Sequence, residues 1–333
     1  MKIALAYNLK KKDETKPADY FSEFDSEETI NAISAALKKR GHNVDLVDVE
    51  QPNLFSYFKK NRVDMVFNIA EGKCGKFRES EIPAILDYLD IPYTGSNTFS
   101  LALALNKAFT KKILKAENIP TPLFQVFTAK GKQELDPVLK FPLIVKPNLE
   151  GSAKGINASN VVNTKEALFA KIKELQGLYM QEVLVEEFIE GKELTVGILE
   201  NGKVTILPIL EIDFSTCKKS GEYFYSWRMK EFQGNAEFGL VPEFHCPARL
   251  DKETEELVKD VALKTHQAVG CFDISRTDIR LSKDGIPYVL EINPLPGLNP
   301  TESNFPIMAY AAGMKYEDII EAILLGASER RTN

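Results

Sequence analysis

Apolar positions along the chain fall into short runs separated by helical and polar segments. KIALAY, starting at residue 2, is an apolar run of strand length. Residues 27–40 then carry apolar positions at helical spacing, closed by Gly41. NVDLVDV and VDMVFNI read as a second and a third strand with a helical stretch between them, and IPYTGS ends this first unit near residue 100. Strands alternating with helices predict a parallel α/β sheet. A helix is expected over residues 101–116, stopped by the two prolines of NIPTP. From Leu123 to Leu199 the pattern becomes strand–loop–strand–helix–strand, in FPLIVKP, INASNVV, KEALFAKIKEL, VLVEEFI and LTVGIL, which reads as a small α+β module. The rest holds a long polar stretch over 215–243, a helix over 252–269, a hairpin and a C-terminal helical pair. A polar connection of that length inside a domain suits a lid.

At 333 residues the chain is long enough for two or three domains, and a net charge of −6 gives no reason to expect nucleic acid or an anionic membrane as partner. MKIALAY breaks at Asn8 and then turns basic, the wrong order for a signal peptide, and no apolar stretch approaches the ~20 residues of a membrane span. Cys74, Cys217, Cys246 and Cys271 are scattered, and the three histidines have no ligand spacing. These features predict a reduced, cytoplasmic protein.

The segment RTDIRLSKDGIPYVLEINPLPG carries the most chemistry. With Asp284-Gly285 as a two-residue turn, Asp278 faces Glu291 and Arg276 faces Asn293 on one side of a ribbon. Ile279, Leu281, Tyr288, Leu290 and Ile292 are then expected on the opposite, core side. Opposed carboxylates destabilise a ribbon unless something neutralises them. Asp278, Glu291 and Asn293 offer only oxygen donors, which suits a hard cation such as Mg²⁺ or Mn²⁺.

Upstream, FPLIVKPNLEGSAKGI places Lys146 at the end of an apolar strand, followed by a loop with Gly151, Ser152 and Gly155. Small residues let backbone amides approach a phosphate, and the lysine adds a point charge. VLVEEFIEGKELTV adds acidic groups, Glu186, Glu187 and Glu193, able to accept hydrogen bonds from an adenine amino group and ribose hydroxyls.

Taken in order, IPYTGS, VKPNLEGSAKG, EEFIEGKE and RTDIRL…EINPLPG resemble the ATP-grasp superfamily, and within it the D-alanine–D-alanine ligases, over residues 60–325. The resemblance implies three units: an N-terminal Rossmann-like parallel sheet (1–105), a small central lid-like unit (106–198) and a C-terminal unit with the metal site and the loop 215–243 (199–333). It implies ATP between the last two, with Lys107 and Lys146 on phosphates, the Glu186 side chain and the backbone of Glu187, Phe188 and Ile189 around adenine, and Glu193 on ribose. Leu290 joins the nucleotide pocket. Asp278, Glu291 and Asn293 would hold two Mg²⁺, Arg276 and the Gly297 amide would stabilise an oxyanion, and Lys230 would ride the mobile loop to the transferring phosphate. The implied reaction activates a carboxylate as an acyl phosphate for attack by an amine. Amino acids or amines are the implied small-molecule partners, and a homodimer the implied assembly.

Substrate positions depart from the family pattern. The loop reads Gly151-Ser152-Ala153, keeping Ser152 and losing the second serine, and Glu231 stands where a tyrosine is usual. AEGKCGKFRES replaces the usual His-Gly start, offering Glu71, Arg78 and Glu79, and an N-terminal glutamate could be any of Glu23, Asp25, Glu27 or Glu28. Ser303 sits where a carboxylate-binding serine would be. An inward Glu231 is expected to pair with a cation such as Arg78 or Arg228 and to favour an amine other than alanine. Alternatives are an ATP-grasp ligase of another biosynthetic route and a non-catalytic nucleotide binder. A dinucleotide-dependent oxidoreductase is excluded by the absence of G-x-G-x-x-G after the first strand.

Overall fold

Ile3, Ala4, Leu5 and Ala6 are all fully buried in strand β1 (Lys2–Tyr7), as a central strand covered on both faces requires. The computed structural model describes residues 1–131, 134–217 and 219–330. Helix α1 (Glu27–Lys39) is capped by the Ser26 side chain, which accepts from the Thr29 amide. Strand β2 (Asn43–Asp48), helix α2 (Leu54–Lys60), strand β3 (Met65–Asn68) and helix α3 (Glu81–Tyr88) follow. The sheet is parallel with order β2-β1-β3, as the alternation of runs predicts.

The helix expected over 101–116 is two helices, α4 (Thr98–Leu105) and α5 (Lys107–Ala116). Asn106 breaks them in extended backbone, and its side chain caps α5 by accepting from the Phe109 amide. Asn148 also donates to Asn106, so the break is pinned to the central unit.

That unit is an antiparallel sheet of order β4-β7-β5-β6, made of β4 (Phe124–Phe127), β5 (Leu143–Pro147), β6 (Val161–Val162) and β7 (Val183–Glu187). Helix α6 (Lys165–Tyr179) covers it, burying Leu168, Ile172 and Leu175 against Val145 and Val185. INASNVV, expected as a strand, is mostly a short 3₁₀ turn capped by Asn157, with two residues of β6 after it.

Strand β8 (Gly191–Glu200) falls within the 106–198 unit of the sequence reading. Its hydrogen bonds go instead to the C-terminal sheet, so the switch between sheets lies at Gly191. There φ is +153°, and a Cβ would collide with the Leu281 carbonyl oxygen of the neighbouring strand. The antiparallel C-terminal sheet also contains β9 (Val204–Ile206), β10 (Leu210–Asp213), β11 (Glu243–His245), β12 (Ile274–Ser282) and β13 (Pro287–Asn293). The segment between β10 and β11 carries a five-residue helix, α7 (Trp227–Glu231). Helices α8 (Lys252–Val269), α9 (Asn304–Ala311) and α10 (Tyr316–Arg330) complete the unit. One apolar cluster runs from β1 and α1 into α9 and α10, so the two outer units share a core.

Asn106→Ala removes both the α5 cap and the acceptor for Asn148. It should lower stability by about 1–2 kcal/mol in urea unfolding; a variant as stable as the parent would mean the break is set elsewhere.

Candidate functional site

The β12–β13 ribbon reaches the expected pairing by another route. Ser282 closes a three-residue turn over Lys283, Asp284 and Gly285, with its amide donating to the Ile286 carbonyl at 3.0 Å. That turn shifts the register by one residue, so Ile279 faces Val289. A bulge at Leu290 shifts it back, and Asp278 faces Glu291 while Arg276 faces Asn293. The core side therefore carries Ile279, Leu281 and Val289, not Tyr288 and Leu290. Leu290 turns with Glu291 toward the cleft, where it lines the same cavity.

On that face Arg276 holds Asp278 with two hydrogen bonds of 2.9 Å, and Thr195 adds a third at 2.7 Å. Asn293 donates to Asp278 at 3.1 Å, which leaves its side-chain oxygen available. Lys107, turned inward by the α4–α5 break, lies 3.0 Å from Glu291. Burial pushes the Glu291 carboxyl up, but Lys107, Lys146 and Arg276 together bring it down to about 2. Two carboxylates and an amide oxygen on one ribbon face fit a hard divalent cation.

Across the cleft, Glu186 is completely buried between two lysines, Lys146 at 2.5 Å and Lys111 at 2.8 Å. Burial raises the Glu186 carboxyl and the two ammonium groups outweigh it, so the net shift is downward. Lys111 is 1 % exposed and also donates to Thr121. Glu193 pairs with Arg280 at 2.7 Å. Glu187, Phe188 and Ile189 continue the wall of a narrow cavity of about 90 Å³ between the central and C-terminal sheets, with Lys146, Glu193 and Leu290 around it.

The small-residue loop after β5 is left-handed at two non-glycine positions, Ser152 (φ 48°) and Ala153 (φ 56°). Such backbone is costly for residues with a Cβ and persists where the surroundings fix it. Here they do: the Gly151 amide donates to Glu23 at 2.7 Å and the Gly155 amide to Asp19 at 3.1 Å. Loop amides that bind two carboxylates are an anion cradle. Of the four N-terminal acids left open by the sequence, Glu23 is the one that reaches this loop. Arg78 at 2.5 Å and Lys154 at 3.4 Å are its counter-ions.

The 215–243 segment folds over the cleft. Trp227 donates to Ser22 of the N-terminal unit at 2.8 Å, and Cys217, Met229 and Leu240 give the segment a small core. Lys230 points inward, where burial and the Arg276 charge lower its ammonium below the ordinary lysine value. Glu231 is exposed at the rim of the cleft, and its partner is Lys10 at 3.1 Å; Arg78 and Arg228 go to Glu23 and Glu222. These residues open on a larger cavity of about 650 Å³, lined also by Ser152, Glu71, Asn293, Gly297 and Ser303. Ser303 accepts from the Asn299 amide at 3.0 Å, and its hydroxyl lies where a Cβ on Gly297 would be. Lys230 and Arg276 line both cavities, so the two meet there.

Lys111, Arg280 and Lys10 escaped the sequence reading. Lys111 had a signal: it lies four residues after Lys107 and shares its helix face. The other two are set by tertiary contacts that no local pattern encodes.

The family model described as D-ala D-ala ligase C-terminus matches residues 113–325. A D-alanine–D-alanine ligase of Carboxydothermus hydrogenoformans is 36% identical over 311 residues, covering 91% of this chain and 93% of that protein. The crystal structure of the D-alanine–D-alanine ligase of Bacillus anthracis complexed with ATP superposes with a TM-score of 0.78 at 26% identity, covering 100% of this chain and 99% of that one. A D-Ala:D-Ser ligase structure from Enterococcus faecalis shares the fold at 21% identity and a TM-score of 0.72, covering 98% and 99%. The chain thus belongs to the D-alanine–D-alanine ligase family and is an ATP-dependent carboxylate–amine ligase of the ATP-grasp fold.

Proposed function

We propose that the narrow cavity takes the nucleotide, the wide cavity takes two amino acid substrates, and the reaction passes between them at Lys230 and Arg276. The observation that carries this reading is that these two cations line both cavities. Adenine would lie against Glu187, Phe188 and Ile189 with Glu186 beneath it, the ribose against Glu193, and the phosphates along Lys107, Lys146 and the Ser152 loop. A carboxylate oxygen of the first substrate attacks the γ-phosphorus and ADP leaves, giving an acyl phosphate. The amine of the second substrate then attacks the acyl carbon, phosphate leaves, and the amine loses a proton. Arg276 and the Gly297 amide face the oxyanion of that step, and Ser303 is placed to hold the acceptor carboxylate. The closed 215–243 segment keeps water from the acyl phosphate.

Asp278, Glu291 and Asn293 would hold Mg²⁺ or Mn²⁺, which screens the phosphate charge when bound. D-alanine is the substrate named for the relatives. The Lys10–Glu231 ion pair, standing where the family has a neutral hydroxyl, favours a different amino acid or amine at one of the two positions. We further infer a reduced cytoplasmic protein, in line with four unpaired cysteines, and a homodimer sealed by exposed apolar groups such as Tyr88 and Phe99. Among the described residues no helix is long and apolar enough to cross a membrane.

Phosphate release from ATP, screened with D- and L-amino acids, tests the reaction directly. Glu291→Gln should lower it at least about a hundredfold with the fold retained, and excess EDTA should stop it until Mg²⁺ or Mn²⁺ is restored. Full activity in EDTA would remove the metal site. Lys146→Ala should weaken ATP binding by about 1.5–3 kcal/mol, and unchanged affinity by calorimetry would take Lys146 off the phosphates.

Lys230 gives a pH signature. Burial disfavours its charged form, so the alkaline fall in rate, where the ammonium loses its proton, should begin below the usual lysine value of about 10.4. Lys230→Arg, which stays charged, should move that limb upward. A limb that stays in place would assign it to another group.

A further inference from the structure

In an open parallel sheet, ligands bind outside the carboxyl ends of the strands where the strand order reverses. With order β2-β1-β3, that point lies between β1 and β3. Asn8 joins the two strand ends: its side chain accepts from the Glu71 amide at 2.9 Å and donates to the Gly72 carbonyl at 3.0 Å. Asp25 is pinned to the same place, its amide donating to the Asn8 carbonyl at 3.0 Å. The crevice carries two carboxyl groups, Asp25 and Glu71, and opens into the 650 Å³ cavity.

Three of the acidic groups named at this site have counter-ions. Glu23 has Arg78 and Lys154, Glu231 has Lys10, and Glu291 has Lys107. Among the described residues, Asp25 and Glu71 accept no hydrogen bond at their carboxyl groups and form no ion pair, and neither belongs to the nucleotide or metal machinery. Burial alone pushes Asp25 up to about 7. Glu71 is pushed up by burial and by Glu79 and Glu23, and Arg78 opposes this only in part. Carboxyl groups short of positive charge in a cavity larger than two alanines fill are matched by a cationic ligand, which would let both ionise as pairs.

We propose that the crevice outside β1 and β3 is a subsite for an ammonium or guanidinium group. One of the two substrates is then an amino acid or amine carrying one more positive charge than alanine. This rests on the ligase reading and specifies its substrate. One α-amino group can pair with only one of the Asp25 and Glu71 carboxyls, which leaves the other for the added charge, since Glu23 is already bonded to Arg78, Lys154 and the Gly151 amide. A lone divalent ion is the poorer occupant: the carboxylates of Glu23, Glu71 and Glu79 lie close enough to share one, but Glu23 is already bonded to two cations and a backbone amide.

The test is ADP formation by the full chain with ATP and Mg²⁺, using lysine, ornithine and arginine of both hands against alanine and serine. The best basic amino acid should exceed alanine at least tenfold in kcat/KM. Asp25→Asn should cut that ratio tenfold or more, Glu71→Gln should do the same, and Asp25→Glu should restore part of it. A ratio that survives both neutral substitutions overturns the subsite. Alanine preferred over every basic amino acid also overturns it and leaves the ligase reading standing, whereas no ADP with any amino acid counts against both.

Discussion

Two sheets face each other here across charge instead of grease. Glu186 lies at the centre of the central sheet with a lysine on either side, and Glu291, Asp278 and Glu193 answer it from the opposite sheet with Lys107, Arg276 and Arg280 as partners. Removing a carboxylate or ammonium from water costs several kcal/mol per ion, so such a layer persists only when each charge is paired. That constraint explains the surrounding geometry. The α4–α5 break turns Lys107 inward, Lys111 follows it on the same helix face, and the bulge at Leu290 restores the register that brings Glu291 opposite Asp278. The arrangement contributes little net stability by itself, and its use is as a preorganised field for a polyanion and its counter-ions.

Much of this was readable in the chain. The hydrophobic runs placed the parallel N-terminal sheet, because a strand covered on both faces must be apolar throughout. The parity of the β12–β13 ribbon placed Asp278, Glu291, Arg276 and Asn293 together. It does so although a two-residue turn is expected and a three-residue turn forms, because the Leu290 bulge cancels the shift at the Asp278–Glu291 end and leaves it at the turn end. Tyr288 and Leu290 were misplaced for the same reason, since a bulge has no signature in an alternating pattern.

What stayed hidden depends on sequence-distant partners. Period and propensity see neighbours within a turn or two, and so they gave β8 to the preceding unit, next to which it lies in sequence. Its pairing with β12 is fixed by the sheet it completes and by the close approach at Gly191. The partner of Glu231 was equally out of reach. Arg228 is nearer in sequence, but Lys10 is brought alongside by the packing of the 215–243 segment on the N-terminal unit. The choice among Glu23, Asp25, Glu27 and Glu28 likewise needed the fold: Glu27 and Glu28 are spent in the first turn of α1, where they face its dipole.

The N-terminal unit is where the charge balance of the site is least complete. The facing strands β7, β8, β12 and β13 satisfy their charges among themselves, with Lys107 and Lys111. The wide cavity has no such closure. Its carboxyl groups are supplied by the β1–α1 and β3–α3 connections, which can change without disturbing the sheet behind them, because Asn8 and the shared core of α1 and α10 hold the frame. A fold whose chemistry resides in two facing sheets can therefore exchange one substrate for another by rewriting two loops. The 215–243 segment is bonded to that same unit, Trp227 to Ser22 and Glu231 to Lys10.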